Sequence, residues 1–197
     1  MKKISAAFFV SVFILVSASL AGAAPYSFQP TPADLWDLEH GHYYTWGIDW
    51  SVPTGEAIVG ASLLFDDIHN YNNSENHLWV HLLDSATAGS TSGIDGNDNA
   101  DSFDGQGILL NYWQNLSNIP QDITYDFDTS ELTTLINYMI DGNFGLGFDP
   151  DCHFYNNGIT LSIETTTHTP VPASVLLLGS GLLGLVGFRR KTRKSKM

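Results

Sequence analysis

The chain has 197 residues, with 8 Lys+Arg, 21 Asp+Glu and 7 His, for a formal net charge of −13. The cations all lie at the two ends, at Lys2 and Lys3 and again from Arg189 to Lys196, and none stands between Ile4 and Phe188. That distribution excludes nucleic acid as a partner, because neutralising phosphate needs a basic surface, and it equally excludes Schiff-base lysines, arginine clamps and a P-loop.

Residues 1–23 read as a secretory signal. Lys2 and Lys3 form its charged start, Ile4 to Leu20 is largely apolar, and Ala21-Gly22-Ala23 supplies the small residues a signal peptidase cuts after. Residues 24–168 then make one domain of ordinary size with room for a sizeable core.

Most of that domain has the two-residue period of strands. Tyr44, Trp46, Ile48 and Trp50 alternate with small or polar residues, and Val59, Ala61, Leu63 and Phe65 resume the pattern after a turn at Pro53 and Gly55. Leu78, Val80 and Leu82 alternate with His77, Trp79 and His81, so the two histidines share a face, as do His40 and His42. A transition-metal site would need three or four such ligands to converge.

Residues 94–105 are dense in Asp, Asn and Gly. Asp95, Asn97, Asn99 and Asp101, with Asp104 following, place oxygen donors at the alternate positions a calcium loop uses. Ala100 stands where an EF-hand has its turn glycine and Gln106 where it has its bidentate Glu, so the stretch reads either as a calcium loop of another kind or as a solvated turn. Gly107 to Trp113 is a short, largely apolar run, consistent with a strand buried on both faces though too short to be decisive.

Ile123, Tyr125 and Phe127 alternate with acids and Thr124, which turns the acids to water. The period then changes: Leu132, Leu135, Ile136, Met139 and Ile140 recur at three and four, with Asp128 or Thr129 available as N-cap and Gly142 beyond the end. One amphipathic helix of about twelve residues is expected there. Phe144, Leu146 and Phe148 alternate with glycines, and Ile159, Leu161 and Ile163 make the last strand. Seven or more short strands with one inserted helix predict an all-β fold, an antiparallel β-sandwich of jelly-roll type.

Between those last strands Asp149, Asp151 and His153 form a second candidate cation site, with a turn fixed by Pro150 as the alternative. Cys152 is the lone cysteine, so no intramolecular disulfide forms; pairing with His153 as a nucleophile is disfavoured if both sit on one strand, where neighbours face opposite ways. For glycoside hydrolysis Asp66/Asp67 or Asp149/Asp151 offer carboxylate pairs, but no nucleophile elbow, HExxH or triad spacing is present, and the chain reads as a non-enzyme. Five Trp and eight Tyr, with Trp36, Tyr71 and Tyr155 outside the clean alternation, are suited either to the core or to stacking on sugar rings.

The chain closes on Pro170-Val171-Pro172-Ala173, an uncharged stretch to Phe188, and a cluster opening with Arg189, Arg190 and Lys191. Residues 173–188 would span about 24 Å as a helix, a short membrane crossing, with the basic residues 189–197 held on the cytoplasmic side. The order of PxP motif, apolar GSGLLGL segment and basic end resembles the sorting tail of bacterial PEP-CTERM proteins, the substrates of exosortase, with Val171 where the name-giving motif has Glu. The internal segments SFDGQGILL and FGLGFDPDCHFYNNGI are similar to parts of exported β-sandwich domains that carry such tails.

The resemblance implies export across the inner membrane, passing anchorage through residues 173–188, cutting near PxP by an exosortase-like membrane transpeptidase, and delivery to the cell surface, often beside exopolysaccharide. The expectation is therefore a surface or matrix β-sandwich with a structural or binding role, holding calcium. A carbohydrate-binding module for exopolysaccharide is the alternative.

Overall fold

The structure, a computed structural model, describes residues 23–96 and 100–167. Residues 1–22 of the expected secretory signal, Asn97, Asn99, the sorting motif and the expected membrane span at 173–188 lie outside the described residues. Among those described, no helix is long and apolar enough to cross a membrane.

Strands β1 (Ala23–Phe28), β2 (His42–Asp49), β3 (Glu56–Asn70), β4 (His77–Leu83) and β5 (Gly89–Ile94) are followed by β6 (Ile108–Gln114) and β7 (Gln121–Asp126). Helix α1 (Thr129–Tyr138) intervenes before β8 (Asn143–Pro150), β9 (Phe154–Tyr155) and β10 (Gly158–Thr167). They form two sheets, one ordered β1-β10-β3-β7 with β9 added to β3, the other β5-β2-β8-β4-β6. All paired strands are antiparallel. From β1 to β4, and again from β6 to β10 leaving β9 aside, the chain changes sheet at each step. That interleaving is the double Greek key of a jelly roll, with β5 an extra strand on the edge of β2.

The period-two residues meet between the sheets. Leu63 and Phe65 of β3 and Ile159, Leu161 and Ile163 of β10 pack against Leu78, Val80 and Leu82 of β4 and Phe144, Leu146 and Phe148 of β8, all buried. Each such side chain contributes roughly 1.5–3 kcal/mol through removal from water, which makes this layer the main source of stability. Val59 departs from the pattern. β3 pairs Gly60 with Glu164 but Ile58 with Thr165, so Val59 is the bulged residue and turns outward.

Two further expectations need correction. The run from Gly107 to Trp113 is not buried on both faces: β6 is an edge strand, and Leu109 is exposed. Its register on β4 passes from Asn111 to Leu109 and bulges at Leu110, which sends both Leu110 and Trp113 inward and erases the alternation.

Helix α1 starts as expected. Asp128 accepts from the amides of Ser130 and Glu131, and the Glu131 carboxylate accepts from the Asp128 amide in return, a capping box. The expected apolar stripe is only partly used, however, for Leu135 and Met139 are buried while Ile136 and Ile140 are exposed. After Tyr138 the chain tightens to a 3-10 turn, Met139–Asp141, whose 120° step rotates Ile140 away from the sheet.

Candidate functional site

The outer face of the second sheet carries the first candidate. Because Phe144, Leu146 and Phe148 of β8 face the core, Gly145, Gly147 and Asp149 face out. A Cβ on Gly147 would stand 2.8 Å from the Phe103 ring, so this glycine is what lets Phe103 seat on the strand. Phe103 is buried there, edge-on to Tyr43 at 5.7 Å and tilted against His81 at 5.8 Å. The anchored ring brings residues 100–107 down over Asp149.

A hydrogen-bond network follows. The Ser102 amide donates to Asp149 Oδ2 at 2.6 Å, and the Ser102 hydroxyl donates to Asp95 Oδ1 at 3.1 Å. Asp101 accepts at Oδ1 from the Phe103 amide at 2.9 Å and lies at Oδ2 2.7 Å from His81 Nε2. His81 is buried, and its Nδ1 faces the Gln106 carbonyl at 3.1 Å. Both ring nitrogens thus face oxygen atoms.

Asp149 itself is 0 % exposed. Its Oδ1 is buried and has no hydrogen-bond partner among the described residues. Burial, augmented by the nearby Asp95 and Asp101 charges and opposed by the Ser102 bond, pushes its carboxyl up from 3.8 to about 6.

The two acidic loops expected as rival sites are therefore partly one place. Ser102 links Asp149 to Asp95 by hydrogen bonds and neighbours Asp101, without the three carboxylates bringing one oxygen each within 4.8 Å of the others, whereas Asp104 is exposed in a turn closed by its own amide on the Asp101 carbonyl. Asp151 and His153 go elsewhere. Asp151 is buried, its amide donating to the His77 carbonyl and its carbonyl meeting His40 Nδ1 at 2.7 Å. His153 joins the second candidate.

That second candidate is a concave pocket of about 440 Å³, lined by His40, Tyr71, Asn72, Cys152, His153 and Tyr155. Tyr71 is 63 % exposed and Tyr155 40 %. His153 lies 4.4 Å from the Tyr155 ring and 6.5 Å from Tyr71, centroid to centroid. Cys152 and His153 both line it because they occupy the turn between β8 and β9 rather than a strand, so the opposite-face expectation does not hold. The Cys152 thiol is directed to the Glu75 carbonyl at 3.5 Å.

Asn156 ties this region to the segment after β1, its amide side chain donating to the Asp34 carbonyl at 3.0 Å. Leu35, Trp36, Asp37 and Leu38 there all have positive φ, a left-handed turn costing roughly 1–2 kcal/mol per residue, held by the burial of Leu35 and Leu38. Trp36 stacks on Tyr44 at 6.0 Å.

Two arrangements escaped the sequence reading. His77, Trp79 and Tyr112 stack side by side on the outer face of β4 and β6, with Trp79 and Tyr112 4.8 Å apart. Asp66, Asp67 and Asp122 bring one oxygen each within 4.8 Å of the others, all exposed, because β3 bulges between Phe65 and Ile68. Partial desolvation, then the Asp122 and Asp67 charges, raises the Asp66 carboxyl. A left-handed φ at Asp67 was the local event needed, and an Asp-Asp pair does not announce it.

Residues 168–191 match the PEP-CTERM protein-sorting motif. The match supports an exported, exosortase-sorted protein. The PEP-CTERM motif implies processing by an exosortase-type membrane enzyme and sorting to the cell envelope. Compared with curated proteins, the sequence has no match.

Among solved structures, a latent aurone synthase (polyphenol oxidase) from natural source is similar at a TM-score of 0.37 and 10% identity, over 62% of this chain and 24% of that one. Latent apple tyrosinase gives a TM-score of 0.37 and 10% identity, over 73% and 28%. Xylanase 10B modules of Clostridium thermocellum with xylohexaose give 0.22 and 8%, over 70% and 19%. The chain spans less than a third of each of these. Likeness of this degree carries neither activity nor ligand across.

Proposed function

We propose that the exported domain is a non-catalytic binding module whose ligand is a neutral polysaccharide at the cell surface, held in the pocket between Tyr71 and Tyr155. The observation that carries this reading is the pairing of two exposed tyrosines with His40, His153 and Asn72 around one concavity. Aromatic faces stack on the apolar faces of sugar rings, while imidazole and amide groups bond the hydroxyls. A volume of about 440 Å³ suits one or two sugar residues of a longer chain.

Charge supports the choice of a neutral polymer. No Lys or Arg lies between Ile4 and Phe188 to hold a uronate or sulfate. Binding rather than hydrolysis is favoured because no carboxylate is among the lining residues, and glycoside hydrolysis needs two across the bond.

The test is affinity electrophoresis of the protein through gels cast with neutral and with acidic polysaccharides. Retardation by a neutral polymer that Tyr71→Ala and Tyr155→Ala abolish is expected. Retention that survives both but is lost in Trp79→Ala would move the site to the stacked strip on β4 and β6.

A further inference from the structure

The stacked rings on β4 and β6 lie at the same end of the sandwich as the pocket between Tyr71 and Tyr155. There β3 ends at Asn70, just before Tyr71, and β4 begins with His77 beside the end of β8. The turn that carries Cys152 and His153 touches the start of β4 directly, because the Asp151 amide donates to the His77 carbonyl at 2.9 Å and the Cys152 thiol reaches the Glu75 carbonyl at 3.5 Å.

From His77 the rings follow the outer face of the sheet. The register pairs His77 with Gln114, Trp79 with Tyr112 and His81 with Leu109, and members of each pair share a face. Trp79 and Tyr112 lie 4.8 Å apart and within 15° of parallel, while the Tyr112 hydroxyl lies 2.5 Å from His77 Nδ1. Neither Trp79 nor Tyr112 belongs to the core, and both keep part of their surface in water. Gln114 is exposed, as is Leu109. The strip thus repeats the chemistry of the pocket, aromatic rings flanked by an imidazole and an amide, with Glu75 as the acid at its edge, 3.6 Å from His77 Nε2.

We propose that this strip is a second contact region for the same sugar chain, which leaves the pocket past His77 and lies along Trp79 and Tyr112. The inference rests on the sugar-binding reading of the pocket and narrows its ligand to a long stretch of neutral polymer. Between His77 and His81 β4 advances about 13 Å, at ~3.3 Å per residue, which gives room for sugar rings beyond those the pocket holds. Stacking on Trp79 and Tyr112 needs no charge, and His77 and Gln114 can bond hydroxyls beside them. Once the pocket holds one part of a chain, the strip meets the next part at a high effective concentration, so two weak contacts add up on a polymer and not on a short fragment.

The experiment titrates the full chain in detergent, by calorimetry, with disaccharides and hexasaccharides of the cello, laminari and malto series. In the series that is recognised, the hexasaccharide should bind the wild type about tenfold or more tighter than the disaccharide. Trp79→Ala and Tyr112→Ala should remove that gain and leave disaccharide affinity unchanged, whereas Tyr71→Ala should abolish binding of both. Trp79→Phe keeps a ring and should keep most of the gain, yet lose the tryptophan emission change that the hexasaccharide adds over the disaccharide, a readout that a merely structural Trp79 would not move. Far-UV circular dichroism checks that each variant is folded. Equal wild-type affinities for the two lengths, or a gain that survives both Trp79→Ala and Tyr112→Ala, overturns the strip and leaves the pocket standing. Hexasaccharide binding that survives Tyr71→Ala but is lost in Trp79→Ala overturns the pocket reading and the shared path with it, and absence of binding by the wild type overturns both.

Discussion

Replacing Asp149 by Asn should make the protein more stable at neutral pH, although it removes a hydrogen-bonded carboxylate. The carboxyl rises from 3.8 to about 6 on folding, roughly two units, and each unit is worth about 1.4 kcal/mol. For an acid whose folded value is the higher one, stability is complete below the unfolded value, falls as pH rises from near 4 towards 6, and stays low above. Asp149 therefore costs the protein roughly 2–3 kcal/mol at pH 7, and Asn, which keeps an oxygen for the Ser102 amide, avoids this. Urea unfolding in EDTA at pH 4, 5.5 and 7 reads it. The variant should match the wild type at pH 4 and exceed it by roughly 2–3 kcal/mol at pH 7. A variant less stable at pH 7 in EDTA, or a difference that does not vary with pH, refutes the reasoning.

Gly147→Ala should push the Phe103 ring, 2.8 Å from the new methyl, off β8 and destabilise the fold by about 1–3 kcal/mol, with faster chymotryptic cutting at Phe103 as the local readout. Phe148→Ala opens the centre of the sandwich and should cost about 3–5 kcal/mol in urea unfolding with an unchanged m value. Loss of the cap in Asp128→Ala should cost about 1 kcal/mol by the same assay. Surface-displayed protein cut both after Ala23 and near Pro172 contains no Lys or Arg, so trypsin should leave it whole even when denatured and its intact mass should correspond to residues 24 to about 172; recovery of peptides from Val175 to Arg189 would contradict this.

The sequence alone determined the parts whose cause is local. Export and sorting are indicated by the order of residue types in 168–191, a linear motif that needs no tertiary context. The sandwich follows from alternation, since Leu78, Val80 and Leu82 can be buried together only on one face of a strand, and Asp128 and Gly142 bracket the helix by their own backbone preferences.

Tertiary structure decided whatever depended on which strands became neighbours. β5 had no apolar period to reveal it, and its place on β2 rests on edge hydrogen bonds. The bulge at Val59 reversed a face that the alternation had assigned, and those at Leu110 and Asp67 set faces on which the alternation was silent. Composition marked both acidic loops as places for an ion without relating them. Their meeting required β8 to lie between β2 and β4, with a glycine at 147 to admit Phe103, so that Ser102 reached a carboxylate 47 residues away. Desolvation is a property of the packed site, and so the same packing, not the residue types, buried the Asp149 carboxyl and raised it to about 6.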